Sequence, residues 1–73
     1  MEITWDPIKA KRNFQKHKVR FSDAEFALYD PMALIIEDHD IDGEQRFVNL
    51  GSDSIGRIVV IVYAYYDNKI RMI

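Results

Sequence analysis

"RIVVIVYAYY", Arg57 to Tyr66, is the stretch on which the fold turns. Its apolar residues fall at odd and even positions alike, the pattern of a central strand covered on two faces. The run is far too short to cross a bilayer as a helix. Just upstream, "QRFVNL" (Gln45 to Leu50) alternates instead, setting Arg46, Val48 and Leu50 on one side and Phe47 and Asn49 on the other. "MALIIE" (Met32 to Glu37) and "KIRMI" (Lys69 to Ile73) add strand-forming segments at either end. Asp42-Gly43, "SDSIG" (Ser52 to Gly56) and Asp67-Asn68 supply hairpin chemistry between them. Gly43, Gly51 and Gly56 read as scattered turn glycines, too dispersed to cradle a nucleotide phosphate.

The first half of the chain has a different texture. Glu2 to Trp5 reads as a brief strand, and Asp6-Pro7 then gives an N-cap followed by proline at the first helical position. The helix is expected from Pro7 to His17, with Lys9, Arg12, Asn13 and Lys16 on one face. Like charges this close repel one another unless an anion sits among them. In "FSDAEF" (Phe21 to Phe26), Ser22 and Glu25 read as a capping box and Phe21 and Phe26 as a hydrophobic staple, so a second helix is expected from Asp23. Asp30-Pro31 ends it, because the residue before proline is pushed out of helical conformation. The expected order is β-α-α-β-β-β-β. That is an α+β domain spanning residues 1–73, with two N-terminal helices packed on a mostly antiparallel sheet of four to five strands.

With 73 residues and 48% apolar content, the chain is one small folded domain and not a disordered tail. It has no cysteine, so neither a disulfide nor a thiolate metal site can help, and a reducing cytosol suits it. "MEITWDP" lacks the basic start and apolar stretch of a signal peptide, so a cytoplasmic location is expected. The formal charge of −2 hides segregation. Residues 1–20 carry six Lys and Arg against Glu2 and Asp6, whereas residues 21–45 carry eight acids and neither Lys nor Arg. Such polarity suits one face for a polyanion and another for a basic partner, or simply two solvated faces.

Candidate chemistry is sparse. Asp38 to Gly43 spells D-x-D-x-D-G, the opening of a calcium loop, but the twelfth position is Asn49 and the flanks read as strands, so a solvated hairpin tip is expected. His17 and His39 stand alone, and no metal site is expected. Arg46, Arg57 and Arg71 occupy three successive strands, one each. In simple register they would converge on one face or end of the sheet. Guanidinium suits phosphate because it donates two parallel hydrogen bonds and stays charged at any working pH. Tyr63, Tyr65 and Tyr66 would stack on bases or pack a core.

Taken in order, Trp5-Asp6, Lys9, "NFQKHKVRF" (Asn13 to Phe21), Ala24, Asp30-Pro31, Asp38, "GEQR" (Gly43 to Arg46), Gly51, Gly56-Arg57 and "IRMI" (Ile70 to Ile73) resemble the BrnT family of bacterial type II toxin–antitoxin ribonuclease toxins. The resemblance covers nearly the whole chain. It implies a RelE-like fold and an RNA-cutting activity that arrests translation without metal or cofactor. It also implies a BrnA-type ribbon-helix-helix antitoxin. By position, Arg46, Arg57 and Arg71 become phosphate stabilisers, His17 or Glu44 the base or acid, and Lys9, Asn13 and Lys16 the RNA-binding residues. Two departures stand out. Lys18 takes the place of a turn glycine after His17, and family members continue past the position of Ile73 with Ser-Ala-Arg and a C-terminal helix. The lack of that helix implies a bare flank on "IVVIVYAYY" and hence a homo-oligomer. The alternative to an active enzyme is a catalytically silent, shortened toxin-like module that binds an antitoxin or itself.

Overall fold

The computed structural model describes residues 2–39 and 42–73. Strand β1 (Ile3–Trp5) leads into helix α1 (Pro7–His17). Helix α2 (Phe21–Ala24) follows and tightens into a 3-10 helix (Glu25–Tyr29), before β2 (Leu34–His39), β3 (Gln45–Ser52), β4 (Ile58–Tyr66) and β5 (Lys69–Met72). The strands form one sheet in the order β1-β5-β4-β3-β2, with β1 parallel to β5 and every other pairing antiparallel.

Helix α1 begins and ends as its sequence dictates. Asp6 Oδ1 accepts from the Ile8 amide at 2.9 Å, and Pro7 occupies the first turn. At the far end Lys18 adopts the left-handed conformation, φ 60°, so that its amide reaches the Phe14 carbonyl at 2.8 Å. A side chain held there costs about 1 kcal/mol that glycine would not. The second helix departs from expectation. It starts at Phe21 with no side-chain cap, so Ser22 lies inside the helix. Phe21 is buried with its ring edge-on to Trp5 at 6.0 Å, while Phe26 is left exposed, so the staple does not form. Asp30 then leaves helical conformation, and its carboxylate accepts from the Ser52 and Met32 amides at 2.9 Å each. Those two bonds hold its pKa below the usual value despite some opposing burial.

β4 is the middle strand, as its apolar content required. Its two sides fare differently, however. Ile61 and Tyr63 are buried with Phe21, Ala24, Ala27 and Met72, whereas Ile58 and Val60 on the other side are 68% and 64% exposed. Covering on both faces was expected, but the helical core cluster sits on one face alone. On that covered face Asn49 is fully buried and its Nδ2 donates to the Ala27 carbonyl at 2.9 Å. Gly51 is no turn glycine, since it lies within β3, where an added Cβ would stand 2.7 Å from the same carbonyl. Gly43 (φ 81°) and Gly56 (φ 85°) do occupy turns that need positive φ.

Candidate nucleic-acid interface

Strand register determines which side chains meet. Asp38 opposes Arg46 across β2 and β3, and Ala64 opposes Arg71 across β4 and β5. The pairing of Phe47 with Tyr63 places Arg46 level with Ala64, and Thr4 opposes Arg71 on β1. One row, Asp38–Arg46–Ala64–Arg71–Thr4, therefore crosses the sheet. Because side chains alternate, the row lies on the face away from the buried Phe21 cluster. The small Ala64 separates the two arginines. They border a cleft of about 380 Å³ whose walls also include Asp6, Lys9, Glu44 and Tyr66. Arg46 Nε is buried there with no hydrogen-bond partner among the described residues. A buried donor left unpaired costs about 1–3 kcal/mol, which an anion's oxygen would recover.

A second cleft, of about 400 Å³, adjoins the first through Lys9 and Ile73 and runs along α1 past Arg12, Asn13, Lys16 and His17. The helix face expected from spacing alone thus borders one continuous track with the arginine pair. Within it, Asn13 has a structural task as well, donating from Nδ2 to the Val19 carbonyl at 3.2 Å. His17 and Glu44 do not meet. Glu44 lines the arginine cleft, whereas His17 lies eight residues along α1 from Lys9, roughly 12 Å at 1.5 Å per residue.

Arg57 is not part of this convergence. Its Nε pairs with Asp53 Oδ2 at 2.7 Å, its amide donates to Asp53 Oδ1 at 2.8 Å, and Nη1 reaches the Lys18 carbonyl at 3.4 Å. Burial pushes the Asp53 carboxyl up. The Arg57 amide and guanidinium and the Ile55 amide together outweigh that and leave its pKa below the ordinary value. Arg57 precedes Ala64 by seven positions, or roughly 23 Å at about 3.3 Å per strand residue. The simple convergence of three arginines is thus a convergence of two.

The tyrosines also part company. Tyr63 is buried, stacked on Phe47 at 5.4 Å, with its pKa raised by burial and then by Tyr65. Tyr65 stands edge-on to both rings. Tyr66, exposed and two residues from Ala64, is the one that shares the arginine face. Sequence spacing could not single it out, because three tyrosines in four positions carry no sign of which side is covered. In the calcium-like run, Asp40 lies outside the described residues. Asn49, the twelfth position, points into the core and not toward the hairpin tip. Among the described residues no group of three or more His, Cys, Asp or Glu could hold a metal ion.

Fold and cleft together define a small α+β domain with paired guanidiniums on an open sheet face beside a basic helix. A family model described as ribonuclease toxin, BrnT, of type II toxin–antitoxin system matches residues 5–73, and the chain belongs to that family. No curated protein matches it. None of its described helices is long and apolar enough to cross a membrane.

Proposed function

We propose that this chain is a metal-independent endoribonuclease that arrests translation in the cytoplasm and is held in check by a BrnA-type ribbon-helix-helix antitoxin. The observation that carries this reading is the meeting of Arg46 and Arg71 across Ala64, with one buried guanidinium donor that has no partner among the described residues. RNA cleavage without a metal needs a base at the 2′-hydroxyl, cations on the crowded phosphate and an acid for the leaving oxygen. Glu44, on the wall of the arginine cleft, takes the proton from the 2′-hydroxyl. The 2′-oxygen then attacks phosphorus while Arg46 and Arg71 hold the non-bridging oxygens. The bond to the 5′-oxygen breaks, leaving a 2′,3′-cyclic phosphate, and Lys9 protonates the departing oxygen. Tyr66 stacks on an adjoining base, and Arg12 and Lys16 follow the backbone along α1.

The test is cleavage of an end-labelled single-stranded RNA by the purified chain in excess chelator. Fragments ending in 2′,3′-cyclic phosphate are expected, with at least a tenfold loss for Arg46→Ala or Arg71→Ala. An inert wild-type chain, or variants that cut at the wild-type rate, would overturn the proposal.

A further inference from the structure

The sheet ends on β2, so the outer edge of that strand meets no other strand among the described residues. All six of its residues are exposed, and three in succession, Leu34, Ile35 and Ile36, are apolar and 65%, 56% and 65% exposed. A free edge presents a row of main-chain N–H and C=O groups, and natural edges are blunted by shortness, proline, lysine or a bulge. The opposite edge, β1, is only three residues long. β2 has six, carries neither proline nor lysine, and pairs with β3 in unbroken register from Leu34 to His39. Its acids lie in the second half and are engaged toward β3. Gln45 Nε2 donates to Glu37 Oε1 at 2.6 Å, and Asp38 stands opposite Arg46. Upstream, the Asp30 carboxylate is taken by the Ser52 and Met32 amides. From Pro31 to Ile36 the chain carries no charge at all. That half of the edge is open, apolar and unprotected.

We infer that two copies of this chain join β2 to β2, antiparallel, about a two-fold axis at Ile35, making one sheet with five strands from each copy. The inference stands apart from the ribonuclease reading. Symmetry narrows the register. A two-fold that pairs antiparallel strands stands normal to the sheet and keeps each side chain on its own face, so one residue must oppose itself at the axis. Charge and strand length then choose which. An axis at Glu37 sets two carboxylates face to face, and one at Ile36 opposes Glu37 to Ile35. An axis at Leu34 spends half the contact on Ala33 and Met32, which precede the strand. With the axis at Ile35, Leu34 meets Ile36 on the helix-free face and Ile35 meets its own copy on the helix side. Glu37 then opposes Ala33, and Asp38 opposes Met32. The two Glu37 side chains stand four residues apart along the strands, roughly 13 Å, beyond the Debye length of about 8 Å at physiological salt. Self-complementarity selects the occupant, because one short segment supplies the main-chain partners, the apolar matches and the separation of like charges. About four main-chain hydrogen bonds form between the copies. A contact this short gives a reversible dimer in the micromolar range. Because faces are kept, both arginine clefts open on the same side of the joined sheet and stay uncovered.

The test follows the mass of the full chain by light scattering and sedimentation from micromolar to millimolar concentration, where a monomer is expected to pass into a dimer. Ile35→Lys places two ammonium groups at the axis, on a side chain that is exposed in the single copy, and should weaken the dimer at least tenfold. Val60→Glu alters an exposed residue of β4 outside the contact and should leave dimerisation within twofold of wild type. Circular dichroism checks that each variant folds. The chain has no cysteine, so Ile35→Cys introduces a single thiol per copy. Directly opposed Cβ atoms lie about 4.5–5.5 Å apart in an antiparallel pair, and oxidised glutathione should therefore link Ile35→Cys copies covalently and leave Val60→Cys unlinked. A chain that stays monomeric throughout, or a dimer untouched by Ile35→Lys, would overturn the inference. So would a dimer that Val60→Glu dissolves, or one that links through Val60→Cys in place of Ile35→Cys, because the open face and not the edge would then be the contact. None of these measurements involves RNA, so the dimer and the ribonuclease can fail independently.

Discussion

Removing Arg46 and Arg71, singly and together, probes the proposed chemistry most directly. Each guanidinium–phosphate contact is charge-assisted and contributes about 1.5–3 kcal/mol. At 1.36 kcal/mol per decade, each single alanine variant should lose about 10- to 150-fold in kcat/KM. The two residues lie two strand spacings apart, roughly 9.6 Å between backbones, with only Ala64 between them. Arginine side chains reach across such a gap to one phosphate. When one is gone, the substrate shifts and the other holds it less well, so the double variant should lose less than the two singles combined. A coupling of about 1 kcal/mol or more is expected. Arg57, roughly 23 Å from the pair and bonded to Asp53, is the control. Arg57→Ala should lower stability, leave cleavage by the folded fraction near wild type, and combine additively with either variant within about 0.5 kcal/mol. Single-turnover cleavage of a labelled oligonucleotide supplies all the rates. Strict additivity of Arg46 and Arg71, or strong coupling of Arg57 to either, would refute the shared-phosphate geometry.

Four further outcomes follow from particular contacts. Gly51→Ala drives a methyl to 2.7 Å from the Ala27 carbonyl and should destabilise by about 2–3 kcal/mol, lowering Tm by roughly 10–20 °C in a calorimetric scan. Lys18→Gly relieves the left-handed strain but frees the unfolded chain, for a net gain of about 0.5–1 kcal/mol and a Tm higher by a few degrees. Asp30 and Asp53 both titrate below the ordinary 3.8 in the folded state, so their stabilisation is complete above about pH 4 and disappears as pH falls through the depressed values. Asp53→Asn should accordingly flatten the loss of stability below about pH 4 in urea titrations, relative to wild type. Ala64→Leu widens the gap between Arg46 and Arg71 and should slow cleavage tenfold or more while circular dichroism stays unchanged.

Element types were largely legible in the sequence because their causes are local. Asp6-Pro7, the α1 spacing and the alternation of "QRFVNL" each act within one segment. What escaped depends on distant contacts. Ser22 looked like a cap, a feature that contributes about 0.5–2 kcal/mol. Burying Phe21 against Trp5 contributes about 1.5–3 kcal/mol and so decides where the helix begins. Gly51 resembled any loop glycine because its requirement comes from Ala27, 24 positions earlier. The arginines were legible as a chemical type, and Arg46 could be assigned a side. Their meeting depends on register, which one-dimensional spacing does not contain, and Arg57 was lost to a local carboxylate four residues before it. The α1 face came through intact because helical spacing alone defines it.

The central strand shows why periodicity misled on burial and yet pointed toward function. A run apolar at every position needs cover on two sides, and hydrophobicity records that need without saying what meets it. Here the chain's own helices cover the side of Ile61 and Tyr63, while Ile58 and Val60 remain in solvent. Exposed residues of that kind add nothing to the monomer's core, so the domain rests on the small cluster around Phe21, Ala27 and Met72. A domain of this size has little stability to spare, on the order of 4–11 kcal/mol. A partner that binds only the folded state adds RT ln(1 + [L]/Kd), about 2.7 kcal/mol at a hundredfold excess over Kd. Any partner that occupied the bare side would therefore stabilise the fold.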